Sequence, residues 1–205
     1  VLIDLNMARN AISIDVEQTN RLTQIYQEVT GLENPNSLAD IKKFIKEKTG
    51  KEVKSITKNN LDKLKKEFEN YPDVITALEI RQSLSKTSIS KYKKMIESAC
   101  RDSRVRGTLQ FYGAGTGRWA GRLIQVQNLP QNHIRDLDTA REIIKNGNLE
   151  LLEMMYNNPS DILSQCIRPT IIPSPEKKFI VSDFSAIEAR VIAWFAGEKW
   201  RLDVF

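Results

Sequence analysis

The sequence predicts an α+β fold that is mainly helical, and three observations carry that expectation. Capped, periodic apolar stripes fill the first hundred residues. An alternating, ring-rich run opens after Arg104, and a compact apolar stretch, "KKFIVSDF", leads directly into a further helical stripe. Side chains that share a buried face recur every 3.6 residues on a helix and every second residue on a strand, so the two periods distinguish the elements.

Leu22, Ile25, Tyr26 and Val29 form the first stripe, which Gly31 closes as a C-cap. Asn34-Pro35-Asn36 is a turn, and Ser37 with Asp40 resembles a capping box opening a helix that buries Leu38, Ile41 and Ile45 and stops near Gly50. Leu61, Leu64 and Phe68 mark a third, lysine-rich helix. After Tyr71-Pro72-Asp73 a long pattern places Ala77, Leu78, Leu84, Tyr92, Met95, Ile96 and Ala99 inside, and its serine-rich stretch from Leu84 to Ile89 is expected to break or bend it. "VRGTLQFYGA" reads as a short strand, and a glycine loop follows. Asp138 is the expected N-cap of a helix carrying Ile143 and Ile144, and short helices follow over Leu149 to Met155 and Ile162 to Ile167. Pro169, Pro173 and Pro175 mark an extended link before the strand "KKFIVSDF" and a helix with Ile187, Val191, Ile192 and Phe195, ended at Gly197.

The chain has 205 residues, 40% apolar and 28% charged, with a net charge of +5. It contains no apolar run of membrane-spanning length, so no membrane partner is expected. Cys100 and Cys166 lack pairing or metal-ligand spacing, which suits reduced, buried thiols in a cytoplasmic protein. The start at Val1 without a methionine and the stop at Phe205 read as the cut ends of a longer protein. All of the excess positive charge falls between Lys86 and Arg122, where nine cations face only Glu97 and Asp102. Such one-sided clustering running into a glycine and arginine loop favours a polyanionic partner.

Two stretches can carry chemistry. In "GTGRWAGRLIQVQNLP", Arg118, Arg122, Gln125, Gln127 and Asn128 are donors suited to the minor groove, where every base pair offers acceptors at nearly equivalent positions. They can test that a pair is well formed without asking which pair it is. The loop lacks the Gly-Lys-Ser/Thr ending of a P-loop. In "VSDFSAIEAR", Asp183 ends the apolar strand just before the helix. Its spacing permits two roles, helix N-cap to Ile187 or carboxylate ligand of Mg²⁺. Glu188 taken alone reads as a surface glutamate, and Arg190 points away from it.

Together "TGRWAGRLIQVQNLP" and "VSDFSAIEARVIAWFAGE" resemble two successive motifs of the family A, DNA polymerase I-type polymerases, in their bacteriophage and prophage branch. "NPNSLADIKKFI" and "LEIRQSLSKTSISKYKKM" resemble that family's thumb helices. The resemblance implies a helical thumb over 1–103 and a partial palm with a short antiparallel sheet over 104–205. It implies that Asp183, assisted by the Phe184 carbonyl, is the first of two carboxylates holding a catalytic Mg²⁺ pair. Glu188 matches the steric gate that selects deoxynucleotides, and Arg118 matches the arginine that reaches the minor groove at the primer end. Gln127 and Asn128 match residues near the duplex, while Lys86, Lys91 and Tyr92 fall where the thumb meets the DNA backbone. Primer-template DNA and deoxynucleoside triphosphates are the implied partners. Phe184 and Ala186 stand where many relatives carry Tyr and Gln. The fingers helix and the motif with the second catalytic Asp are not among these residues, nor is an exonuclease, so the chain alone is expected to be inactive. A partial palm leaves apolar surface through which copies could associate. The rival readings are a duplex-DNA-binding module without chemistry and a Mg²⁺ nuclease, although no second carboxylate pairs clearly with Asp183.

Overall fold

A computed structural model of the chain describes residues 1–85 and 89–205, and at residues 58 and 59 the backbone alone. It is mainly helical, with two small antiparallel ladders, as the patterning predicts. The chain forms two compact units, Val1–Ile172 and Pro173–Phe205. The division falls within the proline-marked link.

In the first unit a 26-residue helix, α1 (Leu5–Thr30), serves two hydrophobic clusters. Asp4 caps its start by accepting from the Met7 amide, and Gly31, at φ 71°, closes its end with a bond to the Gln27 carbonyl. The N-terminal half of α1 buries Met7, Ala8, Ala11 and Ile14 against α5 (Ile89–Ser98), α6 (Leu137–Lys145), α7 (Leu149–Met155) and α8 (Pro159–Gln165). Its C-terminal half lends Tyr26 to a second cluster with α2 (Leu38–Thr49), α3 (Lys58–Glu67) and α4 (Pro72–Leu84). Between the clusters the buried Ser160 hydroxyl donates to Gln18, so that both polar groups are satisfied. The strand β1 (Leu2–Ile3) pairs antiparallel with a strand at Ile171–Ile172, tying the two ends of this unit together. The 103/104 boundary drawn from the sequence lies inside this unit, at the isolated bridge between Leu2 and Arg104.

Several local expectations change. Leu38 is exposed at the outer side of the first turn of α2, and Phe44 joins Ile41 and Ile45 in the buried face. Ile25 is also exposed. Asp136, rather than Asp138, occupies the cap position of α6, with Asp138 inside the first turn. Cys166 is buried and burial pushes its thiol up to about 12, but Cys100 is exposed. The strand expected over 105–114 shrinks to β2 (Leu109–Gln110), paired with β3 (Ala120–Gly121).

In the second unit the expected strand "KKFIVSDF" has no ladder partner among the described residues. A strand is stabilised by its neighbours, and this unit supplies none. Its helical part is α9 (Ile187–Phe195) packed on α10 (Lys199–Asp203). Arg190 staples it by donating to the carbonyls of Ser185 and Phe205, with its guanidinium 4.6 Å from the Phe205 ring centroid. Only Ala193 is buried. Ile180 and Val181 are 88% and 91% exposed, and Phe195 and Val204 are both 77% exposed. No helix among the described residues is long and apolar enough to cross a membrane.

Candidate nucleic-acid interface and carboxylate turn

The glycine and arginine stretch folds as a hairpin followed by a pinned turn. Leu109 pairs with Gly121 and Gln110 with Ala120, and the Arg122 amide donates to the Thr108 carbonyl beyond the ladder. Gly117 has to be glycine twice over. It sits at φ 79°, and a Cβ there would stand 2.9 Å from the Tyr112 ring. Gly121 makes room in another way, because a Cβ on it would overlap the Gln127 amide. The amide of Gln127 therefore lies over the hairpin backbone.

Beyond Arg122 the fully buried Ile124 anchors the turn in the main core, while Arg122, Gln125, Gln127 and Asn128 on either side remain exposed. The amide of Gln125 donates to the Arg122 carbonyl, and that of Asn128 to the Gln125 carbonyl. Leu129 is buried, and Arg168 holds the end of the segment by donating to the Leu129 and Pro130 carbonyls. Tyr112, Leu123 and Gln125 all have positive φ, at 48°, 56° and 49°. Each departure costs about 1 kcal/mol or more in a non-glycine residue, and such strain gathers where geometry serves a ligand.

Lys91 and Tyr92 divide their tasks. Lys91, on α5, is half-buried with its Nζ 3.5 Å from the Ile124 carbonyl, so it lies against the pinned turn. Tyr92 is fully buried, and its hydroxyl donates to the Leu163 carbonyl at 2.7 Å. It offers no surface to DNA in this conformation. Burial raises its phenol well above the usual tyrosine range. Lys86 lies outside the described residues. Of the acids near the hairpin, Asp102 is gripped by both terminal nitrogens of Arg106, whose hydrogen bonds hold it well below the usual carboxylate range. One segment of this unit thus gathers Arg118, Arg122, Gln127 and Asn128, with Lys91 against it.

In the second unit Asp183 and Phe184 lie in the irregular stretch before α9, and Glu188 lies in the first turn of that helix. Asp183 is exposed, and its Oδ1 accepts from the Phe184 amide at 2.9 Å. It is not the helix cap. Ala186 occupies that position, at φ 50° and without a capping side chain. The N-cap reading of Asp183 therefore falls, because α9 begins at Ile187 and its cap position lies three residues beyond Asp183. Glu188 is exposed in the first turn of α9. With Phe184, Ala186, Ile187, Ala189, Ile192 and Arg201 it lines an open cavity of about 600 Å³. No group of three or more His, Cys, Asp or Glu able to hold a metal occurs among the described residues. An exposed carboxylate beside a main-chain carbonyl nevertheless matches the hard oxygen donors that Mg²⁺ takes, usually one or two from protein with water and substrate completing the shell.

The model of the family described as DNA polymerase family A matches residues 6–205. The chain belongs to the family A DNA polymerases. A DNA polymerase of Bacillus phage SP02 is 51% identical across the whole of this chain, which spans only 32% of that relative's length. No solved structure matches with significance. Within this family A chain, sequence reasoning missed the exposure of Phe111, Tyr112 and Trp119. The available signal was four glycines within residues 113–121, which leave few side chains to cover such rings.

Proposed function

We propose that this chain is the thumb, over 1–103, and the first part of the palm, over 104–205, of a template-directed DNA polymerase acting on primer-template DNA and deoxynucleoside triphosphates. The observation that carries the proposal is the exposed run Arg118, Arg122, Gln127 and Asn128 on a strained hairpin and turn pinned to the core. Arg118 reaches the minor groove at the primer end, where the side-chain amides also meet acceptors, and Arg122 adds a cation facing the duplex backbone. Lys91 and Lys86 extend the backbone contact, and Tyr92 positions Lys91 from within the core. Asp183 and the Phe184 carbonyl would hold Mg²⁺, which when bound neutralises charge developing at the reacting phosphate. Glu188, at the rim of its cavity, would exclude a ribose 2′-hydroxyl. The setting that fits is the cytoplasm of a bacterial or phage-infected cell. The apolar side chains standing out from α9 and α10 support self-association of the isolated chain.

The purified 205-residue chain is expected to bind duplex DNA with strong salt dependence. Arg118→Ala and Arg122→Ala should each lower the slope of log K against log salt by about 1. The chain alone should incorporate no nucleotide, since the resemblance places the second catalytic carboxylate outside these residues. Salt-independent binding would count against the interface, and incorporation by the pure chain would overturn the assignment of the missing carboxylate.

A further inference from the structure

Phe111, Tyr112 and Trp119 stand at the end of the β2–β3 hairpin, 70%, 68% and 59% exposed. They touch one another: the Phe111 centroid is 5.2 Å from that of Trp119 in an edge-on arrangement, and 6.3 Å from that of Tyr112. Three large rings gathered in water mark a contact surface more often than scattered single apolar residues do. The backbone holds them outward at a cost. Tyr112 is itself at positive φ, and its ring lies against Gly117, where a Cβ would stand 2.9 Å from that ring.

The charge around the rings restricts what can cover them. From residue 103 to 135 the chain has no acid; Arg104 and Arg106 pair with Asp102, and Arg118, Arg122 and Arg135 are the further cations of this segment. Arg118 directly precedes Trp119, and both Arg118 and Arg122 are exposed. Rings interleaved with cations suit a nucleic-acid strand, whose phosphates meet the cations while its bases stack on the rings. Inside a duplex each base face is already covered by its neighbour. Only unpaired bases offer a free face.

We propose that Phe111, Tyr112 and Trp119 form a stacking platform for unpaired DNA bases, adjoining the duplex contact made by Arg118 and Arg122. The proposal deepens the DNA-binding reading above and rests on it for the identity of the polyanion. Stacking is sequence-tolerant and nearly independent of salt, whereas the arginine contacts are not.

The test measures binding of the 205-residue chain to a 12-nucleotide oligo-dT, a blunt duplex, and that duplex with a single-stranded overhang. Replacing all three rings by alanine should weaken oligo-dT and overhang binding about tenfold or more, leave blunt-duplex affinity within about twofold, and keep the salt slope. Trp119→Phe, which retains a ring, should keep most of the affinity. Because the rings are exposed, circular dichroism and the urea midpoint should not move. Absence of oligo-dT binding by the unaltered chain, or an equal loss on all three DNAs, overturns the platform. Self-association abolished by the triple change with oligo-dT affinity intact would assign the rings to protein contact and overturn it too. Ring-dependent oligo-dT binding without any duplex binding would uphold the platform and instead sink the minor-groove reading.

Discussion

Asp183→Asn in the complete polymerase is expected to cut nucleotide incorporation at least about 10²-fold, the scale on which loss of one preorganised electrostatic contact acts. The substitution is chosen so that shape cannot explain the loss. Asp183 is exposed, so an amide of nearly the same size fits without repacking. Its one described hydrogen bond, from the Phe184 amide to Oδ1, survives because the Asn side-chain oxygen can accept equally well. What disappears is the charge. A neutral amide holds Mg²⁺ far more weakly than a carboxylate does, and water then fills the metal's coordination shell. Primer-template affinity should stay within about twofold, because the phosphate and base contacts are assigned to the hairpin around Arg118. Titrating Mg²⁺ separates the outcomes. A partial rescue at high Mg²⁺ supports a ligand role. Full activity of Asp183→Asn at ordinary Mg²⁺ would show that Asp183 serves only the turn.

Features decided within a few residues were legible in the sequence. Gly31 and Gly50 end their helices with φ of 71° and 74°, and Ser37 caps α2 by accepting from the Asp40 amide. α4 ends at Leu84 with Ser85 as its C-cap, while the rest of the expected break, at residues 86–88, lies outside the described residues. Features decided by distant partners were not. "KKFIVSDF" has the composition of a strand, but composition cannot supply the neighbour a ladder needs. The capping box at Thr57 and Asn60 is not legible from the usual pattern because the shorter asparagine replaces Glu or Gln at its third helical position. In the interface, Arg118, Arg122, Gln127 and Asn128 were readable as residue types, whereas the strain at Leu123 and Gln125 that shapes their backbone leaves no trace in composition. Tyr92 drew two conflicting readings. Its helical spacing placed it inside, and the family resemblance placed it against DNA.

Tyr92→Phe distinguishes those readings, and Tyr92→Ala should be among the most destabilising single changes in the first unit. The side chain is fully buried among the residues that join α5 to α8, and its hydroxyl is the partner of the Leu163 carbonyl. Removing the ring leaves a cavity and should cost about 3–5 kcal/mol in urea unfolding. Removing only the hydroxyl leaves the carbonyl without that donor and should cost about 1–3 kcal/mol. The pH dependence has a definite sign. Burial raises the folded phenol's pKa above the unfolded value near 10, so the protonated form is favoured by folding. That contribution is complete below about pH 10 and is lost as pH rises beyond it, so Tyr92→Phe should show a flatter decline in alkali than the unaltered chain. DNA affinity measured where both proteins are folded should not change, since Lys91 remains in place beside the Ile124 carbonyl. If Tyr92→Phe instead leaves stability intact and weakens DNA binding, the phenol meets the strand directly and α5 must turn that face outward when DNA is bound.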